Sequence, residues 1–443
     1  YEKGGVVLHM LRRELGDEAF FLMIRHYVQQ CKGKSVLTID LQRAIEESTG
    51  RNLDWFFDQW VYRPGHPSFK VTYQWDEDDK TATLNVVQNH GTSMPMGETG
   101  PCPVEAFRCK VKVVFESSRR RHEFWASIRD RQHTLVYSLS ERPEMVQFDA
   151  GYGVLKELEF NKPKDLLTWQ LEHDVDVVGR VEAASGLGRL ASNEAIQPLK
   201  QAVKKDGFWG VQVEAARALG RIKTEAAMNA LIECVGIENP KARRGVAQAL
   251  GEFRDPLVAD ALKQLILEDD SYYVVSSAAL SLGKTRQDGA YDVLMDALER
   301  ESHMDVIRSG AFAGLAELRD ERAIDLAKEW TEYGRPQRAR EAAISALGKM
   351  GENKVEVREK LIDLLDDRWY RGRQFAVSAL AALRDDRAIE PLNRLVERER
   401  DGRIVRAARE AVTAIRDARL TSDDINSLKK DFEKLEEDNR TLR

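Results

Sequence analysis

The side chains of this 443-residue chain that are typed and spaced for chemistry lie at its start and along its second half. Tyr1 opens the run Tyr1-Glu2-Lys3-Gly4-Gly5. A phenol of pKa about 10 stays protonated at neutral pH and donates a hydrogen bond without first changing state. Eight histidines are present (His9, His26, His66, His90, His122, His133, His173, His303), none of them in a His-Glu-x-x-His arrangement. No pair lies four apart on an expected helix, so a helical zinc site of that kind is not written in this sequence. Cys31, Cys102, Cys109 and Cys234 are few and scattered, against a disulfide scaffold or a zinc ribbon. The basic run Arg119-Arg120-Arg121-His122 has the charge to hold an anion, but after Ser117-Ser118 and between two strand patterns it reads as a solvated hairpin tip. His66, inside Pro64-Gly65-His66-Pro67, reads as a linker residue at a turn.

In the second half the chemistry-bearing residues recur. Arg180, Arg243, Arg308, Arg340 and Arg373 each lie seven residues before a repeated apolar anchor. A fixed register favours a structural ladder, in which each arginine reaches carboxylates and helix-end carbonyls, over a ligand surface. The pairs Phe208-Trp209, Tyr272-Tyr273 and Trp369-Tyr370 fall at one turn of three repeats. They read first as staples between repeats, and second as a contact strip for a peptide or partner.

These residues need elements to hold them. Val7, Met10, Leu11 and Leu15 form one helical face that Gly16 ends; Phe20, Phe21, Ile24, Tyr27 and Val28 mark a second helix. Thr38 is the expected N-cap of a third, ending at Gly50, and Trp55–Val61 is a fourth that Pro64 and Pro67 terminate. From about residue 68 the apolar period becomes two: Phe69, Val71, Tyr73, Trp75; then Ala82, Leu84, Val86. The pattern continues through Phe107–Phe115, Phe124–Ile128 and Leu135–Leu139, which predicts a small antiparallel β-sandwich. From about 165 an Ala-rich motif recurs with anchors at 187, 219, 250, 282, 315, 347, 380 and 412, a spacing of 31 to 33 residues. Each copy is followed by a second apolar helix, which predicts an α-solenoid of eight units, the last degenerate. The tail carries Ile425, Leu428, Phe432, Leu435, Asn439 and Leu442 at coiled-coil spacing, read either as a cap on the solenoid or as a short dimer seam. The expected division is therefore 1–65, 66–162, 163–420 and 421–443.

Composition narrows the class. Acidic and basic residues (74 and 68) are interspersed, so the net charge of −6 leaves no basic stripe for nucleic acid. No apolar run approaches the roughly 20 residues of a membrane span. The chain begins with Tyr and shows no signal-type segment. It is expected to be a soluble protein whose upstream part is not in this sequence; any targeting signal would sit in that part, so the compartment is left open, with the cytoplasm favoured.

The string from Tyr1-x-Lys3-Gly4 through Leu15-Gly16-Asp17-Glu18, Thr38-Ile39-Asp40-Leu41, Leu53–Trp60 and Pro64–Pro67 resembles the M1 family of zinc aminopeptidases downstream of their metal site. The repeats resemble short HEAT repeats of the phycobilisome-lyase type. The M1 resemblance implies a multidomain, mostly α protein: the helical end of a thermolysin-like catalytic domain, a β-sandwich, then HEAT-like repeats where the family has a helical domain arching over its active site. It implies that Tyr1 stabilises the oxyanion formed when a zinc-activated water attacks a peptide carbonyl. It implies zinc in the parent protein and peptides as substrates, with release of the N-terminal residue. The family's zinc ligands and its Gly-x-Met-Glu-Asn segment are missing from this sequence, so the chain alone is expected to bind no metal and to be inactive. The alternative is a non-catalytic M1-like scaffold whose HEAT repeats bind a protein partner.

Overall fold

The computed structural model of the chain describes residues 1–89 and 104–419. The tail seam, Cys102 and His90 lie outside the described residues. Two compact units are present, Tyr1–Pro198 and Leu199–Arg443.

The first unit begins with α1 (Glu2–Leu15), α2 (Asp17–Cys31), α3 (Thr38–Thr49) and α4 (Asp54–Phe57), the last running on as a π-turn over Asp58–Tyr62. Gly16, at φ 84°, breaks the chain between α1 and α2 in a conformation that L side chains rarely adopt. The expected cap on α3 is corrected. Thr38 is the first helical residue, and the Asp40 carboxylate accepts the Leu37 N–H at 2.8 Å. The fourth helix is shorter than expected, because the chain widens to the π-turn where Gln59 and Trp60 turn inward.

Seven strands follow: β1 (Ser68–Asp76), β2 (Thr81–Gln88), β3 (Cys109–Glu116), β4 (Arg121–Ile128), β5 (Gln132–Ser138), β6 (Met145–Phe148) and β7 (Glu157–Phe160). They form a four-stranded sheet ordered β5-β2-β1-β7 and a three-stranded sheet ordered β4-β3-β6. The alternating residues Phe69, Val71, Leu84, Val86, Val111 and Val113 are buried, as the period of two requires. The sandwich is mixed, because β7 runs parallel to β1 with Phe69 opposite Leu158. The buried faces of α1, α4 and both sheets belong to one core, in which Trp60 packs on Phe107 with ring centroids 5.1 Å apart. Two further helices, α5 (Lys164–His173) and α6 (Val177–Leu190), complete this unit. The division falls within α7 (Ile196–Lys205).

The second unit alternates first helices α8 (Trp209–Ile222), α10 (Pro240–Leu250), α12 (Tyr272–Thr285), α14 (Val306–Leu318), α16 (Gln337–Met350) and α18 (Tyr370–Leu383) with second helices. The second helices are α9 (Glu225–Ile232), α11 (Pro256–Glu268), α13 (Ala290–Glu299), α15 (Ala323–Trp330), α17 (Val355–Asp363) and α19 (Ile389–Arg398). Residues 402–419 are helical again. The first helices stack in sequence, each on the next. Anchors Leu219, Leu250, Leu282, Leu315, Leu347 and Leu380 are fully buried, and Val412 nearly so. Small residues set the stacking distance: a Cβ at Gly314 would lie 2.4 Å from the Ala279 carbonyl oxygen, and one at Gly283 would meet the Gly314 backbone. Four residues past the anchor the chain repeatedly turns left-handed, at Lys223, Arg286, Arg319 and Arg384, with φ between 54° and 57°. These are non-glycine positions, and the turn into the second helix holds each of them there against about 1 kcal/mol.

Candidate functional site

Tyr1 stands immediately before α1, fully exposed, and its backbone carbonyl accepts the Gly5 N–H at 2.9 Å. The helix that carries it is anchored along its length. Val7, Met10, Leu11 and Leu15 face the core. Arg12 pairs with Asp17 across the Gly16 break at 2.6 Å. Glu14 takes the Arg51 guanidinium at 3.0 Å, and a second Arg51 nitrogen reaches the Glu14 carbonyl at 2.8 Å. Arg13 donates to the Gly151 carbonyl at 2.9 Å and lies where a Gly153 side chain would be, since a Cβ there would come within 2.2 Å of its Nε. The sequence Gly151-Tyr152-Gly153 is thus a cradle for Arg13. The clue was the Gly-x-Gly spacing after β6, which periodicity does not flag.

The aromatic string before Pro64 docks the helices on the sandwich. The Gln59 side chain donates to the Arg108 carbonyl at 3.0 Å and accepts the Arg108 N–H at 2.8 Å. Gln88 makes the same pair of bonds with Phe107, at 3.0 and 2.9 Å. Two amides therefore satisfy consecutive backbone groups ahead of β3, which a buried strand approach requires. His66 lies 3.4 Å from Glu157 beside the linker turn. At the β3–β4 tip Ser117 accepts the Arg120 N–H, and Arg121 pairs with Glu123 at 3.0 Å and also with Glu116.

The remaining histidines are dispersed. His26 pairs with Glu47 at 2.8 Å, His133 accepts two backbone N–H groups at 3.0 Å, and His173 stacks on Trp169. Among the described residues no three His, Cys, Asp or Glu side chains are grouped to hold a metal ion.

Where α5 and α6 meet the sandwich, a polar network is buried that the sequence reading missed. Lys162 donates to Gln170 at 2.7 Å and lies over the Phe160 ring. Gln170 and Gln147 both donate to Asp174. Burial pushes the Lys162 ammonium down to about 8, against the attraction of Glu182 and Asp174.

Along the solenoid the recurrent arginines do what a ladder requires. Arg243 reaches Asp269 of the next repeat at 2.7 and 3.1 Å and the Ile237 carbonyl at 2.9 Å. Arg340 pairs with Asp367 and donates to the Thr331 carbonyl at 2.6 Å. Arg373 reaches Glu399 at 2.7 Å and the Asp367 carbonyl at 2.9 Å. Arg180 donates to the Asp174 carbonyl at 2.8 Å. Arg308 differs. Gly334 stands 26 residues on, where Arg243 and Arg373 have their carboxylates, so Arg308 takes Asp305 and the Leu298 carbonyl, both at 2.8 Å, and lies over Trp330. The carboxylates of the Arg243 and Arg340 rungs also start the next helix: Asp269 and Asp367 accept the N–H of Ser271 and Trp369 at 2.8 Å. One ring of each aromatic pair carries a cation from an adjoining repeat, Lys241 over Trp209, Arg244 over Tyr273 and Arg403 over Tyr370. Phe208, Tyr272, Tyr273 and Tyr370 nevertheless remain exposed.

Residues 165–238, 237–316 and 335–413 match the HEAT repeats family, and the chain belongs to the HEAT-repeat proteins. Residues 1–60 match the peptidase family M1 domain. The chain is 39% identical over 67 residues to aminopeptidase N of Lactococcus lactis subsp. lactis, a match of 15% of this chain and 8% of that protein. It is 31% identical over 121 residues to phycocyanobilin lyase subunit alpha of Synechococcus elongatus, covering 24% of this chain and 44% of that protein. It therefore spans less than half the length of either relative. The crystal structure of Legionella pneumophila aminopeptidase A in complex with aspartic acid aligns with a TM-score of 0.60 at 14% identity, over 93% of this chain and 56% of that one. The chain thus joins a segment similar to the M1 peptidase domain to HEAT repeats, in a fold like that of the solved aminopeptidase.

Proposed function

We propose that this chain is the portion of an M1-type zinc aminopeptidase that follows the metal site, in a parent protein that releases N-terminal residues from peptides. Tyr1 acts there by donating its phenolic hydrogen to the oxyanion that forms on the scissile carbonyl. What supports this reading is the match of residues 1–60 to the peptidase family M1 domain, beginning at Tyr1, with the helix that follows Tyr1 fixed at Arg12, Arg13 and Glu14. A donor held on a rigid element stabilises developing charge without reorganising as the charge forms. Bound zinc supplies the activated water in such an enzyme; its ligands belong to the parent protein and not to the described residues. The modules 1–65, 66–162, 163–420 and 421–443 divide the work. The first serves the chemistry, and the repeats screen peptides by size and offer a surface to a protein partner.

The test compares the parent protein with this chain alone, by zinc content and by hydrolysis of aminoacyl-4-nitroanilides. The proposal expects one zinc and turnover in the parent, and neither in the chain. A parent protein without zinc or turnover would instead make this the partner-binding scaffold.

A further inference from the structure

Between α1, the aromatic turn and the three-stranded sheet lies a cleft of about 390 Å³ that the proposed peptidase chemistry does not use. Its volume falls within the range of small-molecule pockets, roughly 300–1,000 Å³. Trp55, Phe56, Trp60 and Trp125 supply flat walls, and Trp125 is 60% exposed despite its size.

The polar groups on the lining are mostly cations. Arg13, Arg108 and Lys110 face one carboxylate, Glu14, which already holds Arg51 at 3.0 Å. Lys110 is 3.6 Å from the same carboxylate. Arg13 spends its donors on the Gly151 and Ala150 carbonyls and lies 5.5 Å from the Trp125 ring centroid. Arg108 lies 5.2 Å from the Trp55 ring centroid. One carboxylate shared with Arg51 leaves the cleft with excess positive charge.

The arrangement is also preorganised. Gln59 fixes the Arg108 backbone by two hydrogen bonds, and the Gly151–Gly153 cradle fixes Arg13. Met10, Phe56 and Trp60 on the lining are buried, with the half-buried Cys109 beside them. A charge-assisted hydrogen bond is roughly twice as strong as one between neutral groups. Flat apolar walls call for a ring, and surplus fixed cations call for an anion on its rim.

We propose that this cleft binds a small aromatic carboxylate, its ring between Trp55 and Trp125 and its carboxylate on Arg108 and Lys110. The probe is naphthalene-2-carboxylate, titrated against the full chain by tryptophan fluorescence and equilibrium dialysis, with naphthalene-2-carboxamide as the uncharged control. The expected result is one saturable site with Kd below about 1 mM for the acid and at least tenfold weaker binding of the amide. Arg108 and Lys110 are both exposed, so Arg108→Gln and Lys110→Gln should leave the melting temperature unchanged. Each should weaken the acid about tenfold, as loss of a charge-assisted hydrogen bond does, and leave the amide unaffected. Trp55→Leu should weaken acid and amide alike. Absence of saturable binding, equal affinity for acid and amide, or unchanged acid binding in both Gln variants would overturn the proposal.

Discussion

Replacing Arg340 with leucine tests the arginine ladder where it is most buried. Arg340 is 4% exposed, and its partner Asp367 has a side chain that is 5% exposed. Removing the guanidinium strands the Asp367 carboxylate with the Trp369 N–H, and leaves the buried Thr331 carbonyl without the donor it has at 2.6 Å. Breaking one side of a buried pair costs about 3–5 kcal/mol, chiefly through the charge left behind. Asp367→Asn keeps the turn at Trp369 and removes that charge. The double variant should therefore be at least about 2 kcal/mol more stable than the sum of the two single losses allows. Burial pushes the Asp367 carboxyl up, yet hydrogen bonds from Arg340 and the Trp369 N–H outweigh it and hold it below the usual carboxylate range. In the wild type its stabilisation is thus present above the unfolded carboxyl pKa and is lost only as pH falls through the lower folded value. In Arg340→Leu burial and the Trp369 bond remain, with Arg373 nearby, so the folded pKa rises. The deficit should shrink as pH is lowered from 7 into the acid range, where the stranded group takes up a proton before the wild-type carboxylate does. Urea unfolding, with hydrogen exchange resolved over α16 and α18, reads both effects. A loss under about 1 kcal/mol, strict additivity, or a deficit that grows on acidification would refute the ladder.

Other outcomes follow from the same geometry. Gly283→Ala forces a methyl against the Gly314 backbone and should cost more than about 2 kcal/mol with early loss of exchange protection in α12 and α14, whereas Gly236→Ala, with open space around it, should stay within about 0.5 kcal/mol. Leu347→Ala should cost about 2–5 kcal/mol by urea unfolding, because the anchor is fully buried. Lys162 is a base whose folded pKa of about 8 lies below its unfolded value near 10.4, so its burial penalty is full at neutral pH and relieved as pH rises through 8 to 10. Lys162→Met should accordingly narrow its stability difference from wild type over that interval, and a pH-independent difference in melting temperature would contradict the assignment.

What the sequence made legible is what repeats or alternates. The anchors from Leu187 to Leu380 are buried in register, and five strands lie where a period of two put them. β6 escaped because all four of its residues are buried and show no alternation, and β7 because its parallel pairing with β1 is a long-range event. Thr38 was misread because the Asp40 carboxylate caps the helix from inside. The candidate site was legible only as far as Tyr1 and its helix. The Arg13 cradle, the Gln59 and Gln88 clamps and the Lys162 network each join residues remote in sequence by polar contacts, which apolar periodicity does not encode.

The central proposal is that Tyr1 stabilises an oxyanion in a working aminopeptidase, and its most direct test is Tyr1→Phe in the full-length parent protein. Loss of one oxyanion donor should lower kcat by about 10²–10³. KM should change little, because the hydroxyl matters only once charge develops. Near-normal turnover in the Phe variant, or a loss confined to KM, would contradict the account.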